Sequence, residues 1–352
     1  CHMTGSFIAK DNKTPQYNLN NPVPEPRYDV SKIVLPPASY EHEADKFAKR
    51  LPAVRRFIRE HGINEVFAGD GGRYGIITQG GTHGMVARAL RQLGAADGFG
   101  NSDVPMLVLN VIHPLVPEEI QEFMADKDSV LVIEEGSPNL IESQIAQIAH
   151  ANRIDCLVHG KDLLPMAGEY VTDVVRGGLA AYLADAAPGQ MRAAAAANVK
   201  SIDNARDQAR ACLADAMPEP LPPRPPSFCT GCPERPVFAA LKLLVRERGP
   251  MHVSMDIGCN LFGALAPFHV GNTVLGYGLS LASGGAVGPV LGQPTIAVMG
   301  DGGYWHNGLT TGAINAQWNR YDTVLIILDN GYASATGQHR VPSSGVTPKG
   351  VQ

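Results

Sequence analysis

Two α/β domains, each a doubly wound and mainly parallel sheet, are the architecture this sequence predicts, and three observations predict it. Between residues 74 and 150, short β-branched runs alternate with segments of helical period, as in a parallel sheet covered by helices. Near the end, Pro294-Thr295-Ile296-Ala297-Val298-Met299 and Thr323-Val324-Leu325-Ile326-Ile327-Leu328-Asp329 are apolar runs of the kind buried on both faces. Between these blocks, Leu221-Pro222-Pro223-Arg224-Pro225-Pro226 is a polyproline spacer, which separates domains.

Taken in order, residues 1–50 read as an extended arm, because Pro22, Pro24, Pro26, Pro36 and Pro37 forbid long helices. A helix begins near Pro52, with Val54, Phe57 and Ile58 spaced along it. The first domain, 51–186, then carries strands over 74–78, 106–110 and 129–133 and helices over 84–93, 117–124 and 139–150. Thr78-Gln79-Gly80-Gly81-Thr82 joins a strand to a helix. It suits an anion at the helix N-terminus or a plain loop capped by Thr82. Glu134 and Glu135 stand at a strand end, where a structural or interface role is expected, and His83 and His113 read as ordinary loop histidines. Residues 187–226, with the Ala193–Ala197 run, form a helical and Pro-rich linker. The second domain, 227–352, has a helix over 237–246 and another between Gly308 and Asn319, where Leu309, Ala313, Ile314 and Ala316 fall at helical spacing.

The chain of 352 residues is long enough for two full cores. A net charge of -5 and the absence of any basic run argue against a nucleic-acid surface. The longest apolar stretch, 274–299, is interrupted by six glycines and two prolines, which argues against a membrane span. Six cysteines, at 1, 156, 212, 229, 232 and 259, are mostly scattered, so a reduced, cytoplasmic protein is expected rather than a disulfide scaffold. The opening Cys1-His2-Met3 and an end at Gln352 before the second domain looks complete lead to the expectation of a fragment.

The chemistry concentrates after residue 227. Gly300-Asp301-Gly302 follows one apolar strand and Asn330 closes the next. In an open α/β sheet both would reach one crevice beyond the strand ends. A carboxylate and an amide oxygen are hard donors that suit Mg²⁺ or Ca²⁺. Gly302 and Gly303 let backbone approach a diphosphate closely. Cys229-Thr230-Gly231-Cys232 has the two-residue gap of zinc, iron–sulfur and redox sites.

Gly300-Asp301-Gly302, 27 intervening residues and Asn330 resemble the signature of thiamine-diphosphate enzymes. Cys229–Arg235, Asp256-Ile257-Gly258-Cys259, Gly278-Leu279-Ser280, Gly303–Gly308 and Ala335-Thr336-Gly337-Gln338 are similar to the 2-oxoacid:ferredoxin oxidoreductases, most closely the indolepyruvate branch. The block up to Ile133-Glu134-Glu135-Gly136 resembles the transketolase C-terminal domain of that family. The resemblance implies Mg²⁺ on Asp301, Asn330 and the Tyr332 carbonyl. It implies thiamine diphosphate against Asp256, Ile257, Gly258, Cys259, Gly278, Gly300, Asp301, Gly302, Gly303, Asn330, Tyr332 and Thr336, with His306 as a candidate catalytic group. Cys229, Cys232 and Cys259 correspond to ligands of a 4Fe-4S cluster, whose fourth cysteine has no counterpart after Cys259.

The implied reaction is oxidative decarboxylation of an aryl 2-oxoacid to an acyl-CoA, with coenzyme A as acyl acceptor and ferredoxin or a similar protein taking the electrons. The glutamate that activates thiamine would come from a pyrimidine-binding domain upstream or on another chain, in an oligomer. Alternatives are a non-redox thiamine-dependent decarboxylase or transferase, or a non-catalytic subunit with a zinc knuckle at Cys229 and Cys232.

Overall fold

The computed structural model describes residues 33–345 apart from 218, 220, 221 and 335. The first 32 residues of the expected arm, Ala335 of the quoted motif and residues 346–352 lie outside the described residues. The chain divides into two compact units, 1–220 and 221–352. Among the described residues no helix is long and apolar enough to cross a membrane.

The first unit opens with helices α1 (Ala38–Asp45) and α2 (Leu51–Glu60), joined by wide π turns over Lys46–Arg50. The arm expected up to residue 50 is therefore helical from Ala38. Pro36 and Pro37 precede α1, where a missing N–H costs nothing, and the wide turns fall just before Pro52, whose missing N–H breaks the regular ladder. Strands β1 (Glu65–Phe67), β2 (Tyr74–Gln79), β3 (Met106–Leu109), β4 (Ser129–Ile133) and β5 (Leu157–His159) form a sheet ordered β1-β3-β2-β4-β5. All its pairings are parallel except β1 with β3.

Side-chain alternation along these strands builds two cores. Ile76, Met106, Val108, Leu131 and Ile133 face α3 (His83–Leu93), α6 (Thr172–Ala186) and α7 (Gly189–Ala216). Ile77, Leu107, Leu109, Val130 and Val132 face α4 (Pro117–Met124) and α5 (Leu140–Ala151). Burial on both sides explains the near-continuous apolar text of these strands. The stretch expected as a linker from 187 is mostly α7, and it joins the first unit. Ala195 is buried, Met191 packs against the same core, and Asn198 donates to the Leu93 carbonyl at 3.0 Å. Alanines give this helix a shallow face that lies close to α3 and α6. Glu134 is structural, since its carboxylate accepts the N–H groups of Ile141 and Glu142 at the start of α5.

In the second unit, α8 (Glu234–Arg248) precedes β6 (His252–Met255), β7 (Thr273–Val274), α9 (Ser280–Leu291) and β8 (Thr295–Gly300). A short turn α10 (Asp301–Gly303), wide π turns over Tyr304–Ala313 and α11 (Ile314–Asn319) lead to β9 (Thr323–Leu328). The sheet order is β7-β6-β8-β9, all parallel. Phe228, Phe238, Met255, Ile296 and Val298 make its larger core, and Leu281, Ala297 and Met299 lie on the opposite face. α9 forms despite three glycines and Pro289 because small residues let it lie against the sheet, Gly284 facing Thr295 and Gly285 facing Tyr321. At the open edge, Val324 of β9 is 59% exposed and Ile327 39%.

Candidate active site

Parallel register sets the site. Gly300, the last residue of β8, pairs with Leu328, the last of β9, so the following residues emerge together at the carboxyl end of the sheet. Asp301 is 3% exposed. Its Oδ1 accepts the Gly302 N–H at 2.8 Å, and its Oδ2 accepts the Gly331 N–H at 2.9 Å and the Ser343 hydroxyl at 3.4 Å. Asn330 folds onto its own turn, its Oδ1 accepting the Tyr332 N–H at 3.2 Å and its Nδ2 donating to Ser334 Oγ at 2.9 Å. Asp301, Asn330 and Tyr332 line one cleft, with Ile257, Gly258 and Cys259 following β6 on its other side.

Two glycines are obligatory here. Gly278 has φ +79, and a Cβ on it would stand 2.6 Å from the Gly303 carbonyl oxygen. A Cβ on Gly303 would meet Asp256 Oδ2 at 2.1 Å. Backbone, not side chain, therefore faces backbone between the Gly278 loop and the first turn after β8.

Below this contact Asp256 is fully buried. Its Oδ1 accepts the N–H groups of Ile257 at 2.8 Å and Gly278 at 2.7 Å, which fixes the loop, while Oδ2 has no partner. Burial pushes its pKa up, against the lowering effect of those backbone hydrogen bonds. A folded pKa above the unfolded one means that the folded state binds the extra proton, so stability falls as pH rises between the two values. Asp256→Asn keeps the accepting oxygen and removes the titration. Its unfolding midpoint relative to wild type should be higher at pH 8 than at pH 5. Thermal unfolding of both proteins at the two pH values checks this, and a pH-independent difference would refute it.

Glu234, in the first turn of α8, also lines the cleft. Its Oε2 is buried without a partner, and burial raises its pKa. Burial raises the Cys259 thiol as well, helped by the charges of Glu234, Cys232 and Cys229. Tyr277, on the cleft wall, is pushed up by burial and by Asp256 and Asp301.

A family model of the thiamine pyrophosphate enzymes, their C-terminal thiamine-pyrophosphate-binding domain, matches residues 256–352. The chain is 28% identical over 338 residues to indolepyruvate oxidoreductase subunit IorA of Thermococcus kodakarensis, covering 92% of this chain and 48% of that one. IorA of Archaeoglobus fulgidus is 29% identical over 343 residues, covering 97% and 50%. Residues 256–352 thus match a thiamine-pyrophosphate-binding domain, and the chain as a whole is similar to indolepyruvate oxidoreductase subunits. It spans about half the length of these curated relatives. Among solved structures, a 2-oxoglutarate:ferredoxin oxidoreductase from Magnetococcus marinus is similar at 20% identity and a TM-score of 0.25, covering 41% of this chain and 23% of that one.

Nine residues expected around the thiamine cofactor, Ile257, Gly258, Cys259, Gly300, Asp301, Gly302, Gly303, Asn330 and Tyr332, line the cleft. Asp256 and Gly278 do not line it and instead hold its floor together. Thr336 is exposed, outside the lining, with its hydroxyl donating to the Ala333 carbonyl at 3.4 Å. His306 is likewise exposed and outside the lining, its ring 5.2 Å from that of Tyr277. It sits in the wide π turns after Gly303.

A carboxylate, an amide oxygen and a carbonyl form a set of hard oxygen donors, and the chemistry of this set fits Mg²⁺. The thiols fit a cluster less well. Cys229 and Cys259 are exposed and Cys232 half-buried, and among the described residues no three His, Cys, Asp or Glu side chains stand close enough to hold a metal. Sequence reasoning assigned no role to Glu234 and Tyr277. The signals were an acid two residues past Cys232 and an aromatic residue between Gly276 and Gly278.

Proposed function

We propose that this chain carries the metal- and diphosphate-binding half of the thiamine site of a 2-oxoacid:acceptor oxidoreductase. The substrate in this reading is an aryl 2-oxoacid such as indolepyruvate, the product an acyl-CoA, and the electron acceptor ferredoxin or a similar carrier. The observation that carries it is the meeting of Asp301, Asn330 and Tyr332 in one cleft beyond two neighbouring strand ends. The relatives' names support this choice of substrate.

When bound, thiamine diphosphate supplies the nucleophilic carbon and electron sink for loss of carbon dioxide. The Asp301 carboxylate, the Asn330 amide oxygen and the Tyr332 carbonyl would hold Mg²⁺, and Gly302 and Gly303 leave room for phosphate oxygens. Asp256 keeps the Gly278 loop pressed to this turn. Glu234 and Cys259 bring polar groups to the far wall. The cleft's space of about 50 Å³ suits a cation and its oxygens, whereas a whole thiamine diphosphate needs roughly 300 Å³ or more. That supports a separate pyrimidine-binding domain, which would also bring the activating glutamate.

The thiol arrangement favours a second reading, a thiamine-dependent decarboxylase or transferase without one-electron chemistry. The assembled enzyme containing this chain separates the two when assayed with indolepyruvate, phenylpyruvate and pyruvate, with coenzyme A, thiamine diphosphate, Mg²⁺ and a viologen dye. The first reading expects arylpyruvate- and coenzyme A-dependent dye reduction, with iron and acid-labile sulfide in the protein. Carbon dioxide release without dye reduction, in iron-free enzyme, would establish the second.

A further inference from the structure

A second cavity lies in the first unit. It has a volume of about 490 Å³ and is walled by β1, α3 and the loop ahead of β3, with Gly80 and Asn110 at one end. Its wall includes Arg88 and Arg91, one turn apart on α3. Neither guanidinium has a hydrogen-bond or ion-pair partner among the described residues. The acids of the wall are already engaged. Asp97 accepts the Phe99 and Asn101 N–H groups at 2.8 and 2.9 Å and the Asn101 amide at 2.7 Å, and Glu65 accepts the Asn110 amide at 3.3 Å.

The Asp97 turn, closed by a bridge between Ala96 and Ser102, holds Phe99 on the rim at 92% exposure. Full burial of such a ring is worth about 2–3 kcal/mol, so a tied-down loop that displays it to water leaves apolar contact for a ligand to claim. Opposite, Phe67 stacks on His83 with ring centroids 5.5 Å apart, and His83 Nε2 is buried without a partner. Gly80 brings main chain to the floor, where a Cβ would stand 2.5 Å from Asn110 Oδ1.

We propose that this cavity binds a small aromatic anion, an aryl ring carrying a phosphate or a carboxylate, with the charge on Arg88 and Arg91 and the ring against Phe99. Arginine suits either anion through its paired N–H donors. The His83 ring nitrogen offers one further hydrogen bond inside.

Calorimetric titration of the full chain with phenyl phosphate, phenylacetate and inorganic phosphate tests this. At least one aryl anion should bind saturably. The Arg88→Gln/Arg91→Gln double variant and the Phe99→Ser variant should each weaken it about tenfold or more, with unchanged unfolding midpoints. Preference for phenyl phosphate assigns a phosphorylated ligand, and preference for phenylacetate a carboxylate. Absence of saturable binding by either, equal affinity in the variants, or equally tight binding of bare phosphate would overturn the proposal.

Discussion

Replacing Asp301 by asparagine is expected to lower the affinity of the chain for thiamine diphosphate with Mg²⁺ about a hundredfold or more. The substitution keeps one oxygen, which can still accept the Gly302 N–H, but loses the charge and the acceptor for the Gly331 N–H, so an unfolding midpoint is measured beside the affinity. A unit charge about 4 Å from another is worth about 4 kcal/mol at the effective dielectric of a partly buried site, and about 2.7 kcal/mol already corresponds to a hundredfold. Titration calorimetry on the full chain measures it. The variant should bind about as weakly as wild type does in the presence of a chelator. Unchanged affinity would remove Asp301 from the cation site and with it the reading built on that cleft.

Gly278→Ala should destabilise the second unit by about 2–4 kcal/mol. Holding an L side chain at φ +79 costs roughly 1 kcal/mol, and forcing extra volume into close-packed surroundings adds about 1–3 kcal/mol. The obstacle is main chain, the Gly303 carbonyl at 2.6 Å, which cannot swing aside. Gly292 makes a control, since it has φ +63 with no atom within 4 Å of its missing Cβ. Gly292→Ala should therefore show the strain alone. Both tryptophans, Trp305 and Trp318, lie in the second unit, so their fluorescence during urea unfolding follows that unit selectively. Equal effects of the two substitutions would mean that the Gly278 loop can move away from the turn after β8.

Much of this architecture was legible because strands buried on both faces leave a strong mark in sequence. The expected helix over 117–124 and strand over 129–133 coincide with α4 and β4. In the second unit β8 and β9 fall within a residue of their expected ends. What escaped lacked that mark. β1 and β5 are three-residue strands at the sheet edges, too short to show a period. The arm hid a helix because Pro36 and Pro37 stand just ahead of its first turn and read as breakers. α7 gave an alanine-rich text that does not say whether it packs, and only the tertiary contact with α3 and α6 decides that. At the site, residues fixed by strand ends were foreseeable. His306 and Thr336 were not, since wide helical turns and a loop position them. Tyr277 and Glu234 owe their place to a glycine-flanked loop and a helix start whose direction only the tertiary structure sets.

The outer border of the second sheet carries a practical consequence. Among the described residues, β9 has one edge without a neighbouring strand and exposes the apolar side chains of Val324 and Ile327. Natural sheets usually blunt such a rim with lysines, proline or a bulge; here the text Thr323–Leu328 has none of them. A concentrated preparation of this polypeptide is therefore expected to associate through that edge, which light scattering against protein concentration checks.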